Sequence, residues 1–363
     1  MVGEDRKKIY NSPTKINNTK VEVLKSAQHC PVSIRPTVLS SNPFYARYLH
    51  KDQTFKFPAI THVTVKNPIL LMPEHIIVVD DTPYFDLSLL NHKDITRFLD
   101  LPPVELKMKA RLISNNNSGN YAHWSMEILP AAVEFLRRSQ GSKSALKNRP
   151  YILPPMNPNW QHKAGHALGL VSWHHPQIAR GVIRTEELEF LSISDHSRDH
   201  DTLYPEALTW VAEKIGSVAV RQNHDRQFPE KIFLARRDSN RRVCRNTDAL
   251  SSALEKLGFT EINTTDLDIY EQVMLFRSAK QVVALHGAGL ANIMYCRPGT
   301  KVVEIQSPSL RTTTFSRLAI QFQLDLAIVQ EFNGDEANKN LHQTDWSIGN
   351  LPGMISDIKD FLG

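Results

Sequence analysis

Cysteine is scarce in this sequence, and the few cysteines lie far apart. The chain has 363 residues and three cysteines, Cys30, Cys244 and Cys296, with no CxxC pair. This spacing excludes a disulfide framework and a structural zinc site built on cysteine pairs. Low cysteine usage favours a reducing compartment, so we expect the protein to work in the cytoplasm.

Long hydrophobic runs are also missing. No stretch of about 18 consecutive apolar residues occurs in the chain. The first residues, MVGEDRKKIYNSP, do not contain the apolar core of a signal peptide. We therefore expect a soluble cytoplasmic protein that has at most peripheral contact with a membrane.

A large excess of one charge sign is absent as well. The 43 lysine and arginine side chains are balanced by 38 acidic ones, which leaves a net charge of +5. This excess does not require a nucleic acid partner, because a local cluster for an anionic ligand or an ordinary solvated surface explains it equally well. The length exceeds twice that of a typical domain, so we expect two domains, residues 1–200 and 201–363.

The sequence pattern changes along the chain. Short β-branched segments at 20–24, 60–65 and 75–79 predict a β-rich start, and helical spacing predicts helices over 121–138, 160–170 and 205–220. Strand and helix patterns then alternate over 231–235, 246–257, 261–263, 269–278, 282–285 and 301–306. Such alternation predicts right-handed βαβ crossovers, hence an α/β fold with a mostly parallel sheet.

The stretch 281–306, QVVALHGAGLANIMYCRPGTKVVEIQ, has the pattern of a nucleotide-binding unit. A buried strand ends at His286 and a glycine turn, a helix follows, and a second strand carries Glu304 near its end. This order aims backbone N–H groups and a helix dipole at a phosphate, and His286 and Glu304 would both project at the ligand-binding edge. The HGAG sequence is neither GxGxxG nor a P-loop, so close packing is an equally valid reason for its glycines.

A dense arginine cluster lies in the segment IFLARRDSNRRVCRN, residues 232–246. Five arginines at positions 236, 237, 241, 242 and 245 follow a predicted strand, with only Asp238 to offset them. Guanidinium groups bind phosphate bidentately and keep their charge at any working pH, so the cluster predicts a diphosphate site. The alternative is a solvated basic turn.

Two acidic motifs offer further chemistry. His123 and Glu127 are four residues apart and share a helical face, so either could take a proton from an acceptor hydroxyl; a surface ion pair is the alternative. Asp266 and Asp268 form a DxD, a motif that often holds a metal ion. Glu271, three residues after Asp268, favours a helix capping box instead.

Taken in order, the segments GNYAHWSMEILP, IFLARRDSNRRVCRN, YEQVMLF and HGAGLANIMYCRPGTKVVEI resemble glycosyltransferase family 61. The resemblance covers residues from about 110 to 330. It implies a two-lobed GT-B fold with Rossmann-like lobes, here with a β-rich N-terminal extension. It also implies an inverting transfer from a nucleotide sugar, of which a UDP-sugar is the expected kind, without a metal cofactor.

The resemblance also implies roles for individual residues. Glu127 would be the general base, with His123 as its rival. The donor would be bound by Arg236, Arg241 or Arg242 and the amides of Gly287, Ala288 and Gly289 at the diphosphate, by Glu304 at the ribose hydroxyls, and by His286 and Asn292 lining the pocket.

The family resemblance leaves the acceptor open. Eukaryotic members normally begin with a membrane anchor or signal sequence, and this sequence has neither, so we expect a bacterial enzyme of polysaccharide biosynthesis that extends a lipid-linked or soluble glycan. One alternative is a non-catalytic protein that binds a nucleotide sugar or a glycan with the same fold. Another is a metal-dependent transferase that uses Asp266 and Asp268.

Overall fold

The structure is a computed structural model, and it describes most of the chain from residue 205 onward and selected segments before it. The described residues are 19–25, 28–31, 37–40, 54–57, 60–72, 76–79, 82–84, 101–113, 119–140, 151–152, 159–169, 181–193, 205–223, 225–308, 310, 312–330 and 345–363. Other parts of the predicted β-rich start, such as residues 1–18 and 85–100, lie outside these ranges.

The described residues form strands and helices with the following bounds. The strands are β1 Thr19–Lys25, β2 Gln28–Pro31, β3 Thr37–Ser40, β4 Thr54–Phe57, β5 Ile60–Lys66, β6 Ile69–Met72, β7 Ile76–Val79, β8 Thr82–Tyr84, β9 Pro103–Leu112, β10 Tyr151–Ile152, β11 Gly181–Ile193, β12 Lys231–Leu234, β13 Thr260–Ile262, β14 Gln281–Leu285, β15 Lys301–Ile305 and β16 Asp325–Gln330. The α-helices are Tyr121–His123, Leu129–Gln140, Asn159–Ala167, Pro205–Gln222, Thr247–Glu255, Ile269–Ser278, Thr314–Gln321 and Leu351–Leu362. A π-helix spans Trp124–Ile128, and 3₁₀-helices span Thr264–Asp266 and Ala288–Tyr295.

The chain divides into two compact units. Unit 1 comprises Met1–His29 and Lys56–Val211, and unit 2 comprises Cys30–Phe55 and Ala212–Gly363.

The sheet of unit 1 is organised around the long strand β11. Strands β5 and β6 pair antiparallel with successive halves of β11, whereas β9 pairs parallel with it. Asn67, with φ +50, and Pro68 separate β5 from β6 along the chain. The inward faces of these strands build a core that includes Val63, Leu70 and Phe190.

This sheet departs from two expectations for the first lobe. A Rossmann-like lobe has a mostly parallel sheet, yet five strand pairings in unit 1, β1–β5, β5–β11, β6–β11, β6–β7 and β7–β8, are antiparallel. The predicted N-terminal strands are present as β1, β5 and β7. They do not form a separate extension, because β5 pairs directly with β11 and shares its core.

Unit 2 confirms the predicted α/β alternation. Its sheet has the strand order β13-β12-β14-β15-β16-β3, and every pairing is parallel. Strands β14 and β15 are apolar and buried along most of their length because helices cover the sheet. Strand β3 comes from residues 37–40 and extends the sheet beyond β16, so unit 2 contains chain from both ends of the sequence.

Within the described residues, none of the helices combines the length and the hydropathy that a membrane span needs.

Candidate active site

The polar residues of unit 2 converge at the carboxyl edge of its sheet. Strand β12 is followed by the arginine loop, which we define as residues 235–246, and β14 is followed by the HGAG turn, residues 286–289. Leu234 pairs with Ala284, so these two neighbouring strands end at nearly the same level. The parallel topology therefore brings the arginine cluster and the glycine turn together, as the sequence predicts.

Arg236 lies directly over the glycine turn. A Cβ atom at Gly287 would stand 2.5 Å from Arg236 Nε and 2.7 Å from Arg236 Cδ, so a side chain at position 287 would require the Arg236 side chain to move. Arg236 Nη2 donates a hydrogen bond of 2.8 Å to Ser239 Oγ, which fixes the guanidinium across the turn. The backbone of Arg236 is left-handed, with φ +54, a conformation that non-glycine residues rarely adopt outside constrained sites.

Arg242 is the second half-buried cation at this edge, and it too is left-handed, with φ +55. Burial and the positive charge of Arg242 lower the pKa of Arg236 to about 10, although Asp238 partly offsets them. Burial and the charge of Arg241 lower the pKa of Arg242. Among the described residues, no carboxylate forms an ion pair with either side chain. Two desolvated cations held close together are stabilised by an anion.

The other arginines of the cluster behave differently. Arg237 binds Glu261 at 2.7 Å and Asp248 at 2.5 Å, and these hydrogen bonds raise its pKa. Its charge is therefore already compensated. Arg241 and Arg245 are exposed. The five arginines therefore fall into three groups. Arg236 and Arg242 are half-buried, Arg237 is bound by two carboxylates, and Arg241 and Arg245 lie at the surface.

Two cavities adjoin Arg236 and Arg242. An open pocket of about 280 Å³ is lined by both arginines together with Arg245, Thr247 and Leu285. A much smaller cavity shares the two arginines and Leu285 and is closed by His286, Ser307 and Trp346. The open pocket thus makes the two arginines accessible, and the smaller cavity lies between them and His286, the first residue of the HGAG turn.

His286 and Glu304 are brought together, as the sequence predicts, but Glu304 is buried beneath the histidine. Glu304 Oε1 accepts hydrogen bonds from His286 Nδ1 at 2.5 Å and from Gln306 Nε2 at 2.9 Å. The side chain of Glu304 is only 1% exposed, whereas that of His286 is 15% exposed. Glu304 therefore contacts the edge of the site through His286, and its own side chain is withdrawn from solvent, unlike the exposed carboxylate expected for contacts with ribose hydroxyls.

The segment after the glycine turn is a 3₁₀-helix, Ala288–Tyr295, and not the expected α-helix. Every residue from Leu290 to Tyr295 is buried, so this part of the connection between β14 and β15 is surrounded by protein on all sides. Asn292 is fully buried and donates to Gln272 Oε1 at 3.0 Å, which ties this segment to helix Ile269–Ser278. Asn292 thus anchors the segment that follows the HGAG turn to the neighbouring helix.

The DxD motif is engaged in capping. Asp268 Oδ1 accepts hydrogen bonds from the amides of Tyr270 and Glu271, and Glu271 Oε2 accepts one from the amide of Asp268. This is the predicted capping box. Asp266 is exposed. In the part of the chain that the structure describes, there is no cluster of three or more His, Cys, Asp or Glu side chains suited to a metal ion.

The second predicted pair lies in unit 1. Asn120 Oδ1 caps the first turn through the amides of Ala122 and His123, and a π-helix then spans Trp124–Ile128. His123 Nδ1 and Glu127 Oε1 are 2.6 Å apart, with side chains 33% and 14% exposed. A π-helical turn inside a longer helix is frequent at functional sites. The pair is accessible and pre-organised for proton transfer.

Sequence reasoning did not identify the residues that brace the arginine loop from a distance. Asp345–Ile348 runs beside Arg242–Asn246, about 100 residues away in the chain, and joins it through a parallel bridge between Cys244 and Trp346. No local pattern signals such a contact, because it depends on how the end of the chain returns to the sheet.

A comparison with protein families identifies the family of this chain. A family model described as Glycosyltransferase 61 matches residues 121–303, which is half of the chain. The matched region includes His123, Glu127, the whole arginine loop and the HGAG turn, and it ends one residue before Glu304. A search of curated proteins gave no match.

Proposed function

Because the chain belongs to glycosyltransferase family 61, we propose that it transfers a sugar from a nucleotide sugar to a hydroxyl group of an acceptor glycan, with inversion at the anomeric carbon. The single observation that carries this proposal is the pair Arg236 and Arg242. Both are half-buried, have lowered pKa values, and lie without a carboxylate partner among the described residues. A diphosphate supplies the negative charge that this arrangement lacks.

In this proposal the donor diphosphate binds at the carboxyl edge of the unit 2 sheet. Arg236 and Arg242 contact its oxygens, and the amides of Gly287, Ala288 and Gly289 add hydrogen-bond donors beside Arg236. Arg241 is exposed and serves as a long-range attractor. His286 Nδ1 is engaged by Glu304, which orients the ring toward the same cavity as the two arginines.

The chemical step is a single in-line displacement. The acceptor oxygen forms a bond to the anomeric carbon while the bond from that carbon to the diphosphate oxygen breaks. The acceptor proton passes to Glu127, which His123 holds at 2.6 Å. The two arginines stabilise the negative charge that develops on the departing nucleoside diphosphate, commonly the larger contribution to the rate.

We further propose a metal-independent transfer from a UDP-sugar in polysaccharide biosynthesis, within a GT-B arrangement whose donor lobe is unit 2. The all-parallel sheet of unit 2 supports the donor-lobe assignment. The capping role of Asp268 supports metal independence, because its Oδ1 already accepts two amide hydrogen bonds. The acceptor side of the reaction is assigned to unit 1 through Glu127.

The test is a titration calorimetry panel of UDP, GDP, ADP and CDP with EDTA present. We expect one nucleotide to bind the wild-type protein, Arg242→Ala to weaken its binding at least tenfold, and Arg237→Ala to leave it within about twofold. Arg237→Ala is the matched control because it removes the same charge from the same loop. If no nucleotide binds, or if both variants lose affinity equally, the assignment of the donor site is wrong.

A further inference from the structure

The C-terminal segment Asp345–Ile348 makes a dense set of hydrogen bonds with the arginine loop. Asp345 Oδ1 accepts from the amide of Val243 at 3.0 Å. The amide of Trp346 donates to Val243 O at 3.0 Å, and the amide of Arg245 donates to Trp346 O at 2.8 Å. The two backbones therefore run as a short parallel ladder.

Side chains extend this ladder at both ends. Trp346 Nε1 donates to the carbonyl oxygen of Arg242 at 3.2 Å. At the other end, Asn246 Nδ2 donates to Ile348 O at 2.8 Å and Asn246 Oδ1 accepts from the amide of Ile348 at 2.9 Å. Asn246 directly precedes helix Thr247–Glu255, but its side chain makes no capping hydrogen bond and binds the backbone of Ile348 instead.

These contacts hold the part of the arginine loop that carries strain. Arg242 has φ +55, a left-handed conformation that strains a non-glycine residue and persists only where the surroundings enforce it. The carbonyl of Arg242 and the amide of Val243, which follows it, are both bound by the C-terminal segment. Trp346 itself packs against the unit 2 core and lines the small cavity beside Arg236, Arg242 and His286.

We propose that Asp345 and Trp346 are positioning residues that hold Arg242 in the conformation that binds the donor diphosphate. This inference rests on the proposed function, and it adds a part of the site that lies outside the region matched by the family model, which ends at residue 303. The C-terminal segment thereby completes the anion site without touching the anion.

Inorganic pyrophosphate is the probe of choice because it contains the diphosphate and no base or sugar. Asp345→Ala removes the acceptor for the Val243 amide, whereas Asp345→Asn keeps an acceptor oxygen and loses only the charge. Trp346→Phe keeps a ring in the core and removes the indole N–H. Ser347→Ala changes an exposed side chain of the same segment and is the matched control.

The direction in which Asp345→Ala changes the affinity for pyrophosphate distinguishes a positioning role of Asp345 from an effect of its charge. Loss of a carboxylate near several arginines would tighten pyrophosphate binding if simple electrostatics governed the site. Positioning predicts the opposite, a loss of about three- to tenfold in Asp345→Ala and Trp346→Phe, which corresponds to one lost hydrogen bond. Asp345→Asn and Ser347→Ala are expected to stay within about twofold of the wild type or to bind more tightly.

Hydrogen exchange in the absence of ligand provides an independent readout. We expect faster amide exchange over residues 242–246 in Asp345→Ala and Trp346→Phe, and recovery of protection at saturating pyrophosphate. A purely structural role would lower the Tm of both variants and leave their affinity for pyrophosphate unchanged.

The outcomes distinguish the two proposals. If the wild type binds pyrophosphate and Arg242→Ala does not, the assignment of the anion site to the two half-buried arginines is supported. Unchanged or tighter binding by Asp345→Ala and Trp346→Phe would then overturn the positioning role alone. If the wild type binds neither pyrophosphate nor any nucleoside diphosphate, the donor site and the positioning role are both wrong.

Discussion

Arg236 and Gly287 are in direct contact, and the side chain of one residue requires the absence of a side chain on the other. Gly287 has φ −177, which is ordinary extended backbone, so any residue could adopt its conformation. The constraint is the position of Arg236 Nε, 2.5 Å from where a Cβ atom would lie. Glycine at position 287 therefore lets the Arg236 side chain keep its observed place over the turn.

The first prediction follows from this contact. Gly287→Ala should displace Arg236 and weaken nucleoside diphosphate binding by about tenfold or more, with little change in backbone conformation. Gly289→Ala is the matched control, since its nearest contact would be Thr264 Oγ1 at 3.4 Å. Calorimetry on both variants tests the difference, and equal losses in affinity would contradict the steric account.

The second prediction concerns the cost of placing Arg236 at the site. Burial and the charge of Arg242 lower the pKa of Arg236 from its ordinary value to about 10, so between pH 10 and that ordinary value the unfolded chain holds more protons than the folded chain. The contribution of Arg236 to the free energy of unfolding should therefore rise with pH across this interval. At pH 7 the buried charge of Arg236 destabilises the fold by its full amount. Arg236→Met should stabilise the protein at pH 7 by on the order of 1 kcal/mol while nucleotide binding is lost.

Urea unfolding of Arg236→Met and wild type at pH 7 and at pH 10.5 checks this prediction. The stability difference should shrink at the higher pH, where Arg236 is partly neutral in the folded protein. Arg237→Ala is the contrasting variant. Its hydrogen bonds to Glu261 and Asp248 stabilise the fold, so its loss should cost up to about 1 kcal/mol. A destabilised Arg236→Met would contradict the account.

Glu304 yields the third prediction. Its carboxylate is buried and accepts from His286 Nδ1, so Glu304→Gln should weaken the orientation of the ring without creating a cavity. We expect kcat/KM to fall about ten- to hundredfold, which corresponds to the free energy of one charge-assisted hydrogen bond. In a His286→Ala background the same substitution should have little further effect. Fully additive losses would mean that Glu304 acts independently of His286.

The fourth prediction separates the two units by role. Glu127→Gln should lower kcat by about 10²- to 10⁴-fold and leave the donor Kd unchanged. Arg242→Ala should weaken donor binding and turnover together. His123→Ala should reduce kcat less than Glu127→Gln and alter the pH profile of kcat, because His123 orients the carboxylate at 2.6 Å. The reverse order of the two losses would make His123 the base.

Sequence pattern predicted what is local and periodic in this protein. The strands of unit 2 follow from short β-branched runs between helical segments, and their parallel order brings Arg236 to the HGAG turn. The capping box of Asp268 and Glu271 was equally predictable from the sequence, because all its hydrogen bonds lie within four residues. The family resemblance is confirmed by the match over residues 121–303.

Features that depend on tertiary packing were not predictable from pattern. The burial of Glu304 depends on His286 and Gln306 covering it, and the 3₁₀ geometry of Ala288–Tyr295 depends on packing from all sides. The contact between Trp346 and Arg242 joins residues about 100 positions apart. The pairing of β5 and β6 with β11 is likewise long-range, so the sheet of unit 1 differs from the expected one.

The most direct test of the central claim is the release of nucleoside diphosphate from a panel of nucleotide sugars, measured with and without EDTA in the presence of a mixture of glycan acceptors. We expect release from one nucleotide sugar by the wild type, loss of release in Arg242→Ala, and a large reduction in Glu127→Gln that higher donor concentration does not restore. Donor binding without release by the wild type would identify a non-catalytic binding protein. Release that survives Arg242→Ala, or that EDTA abolishes, would contradict the assignment of the arginine pair as the donor site of a metal-independent transferase.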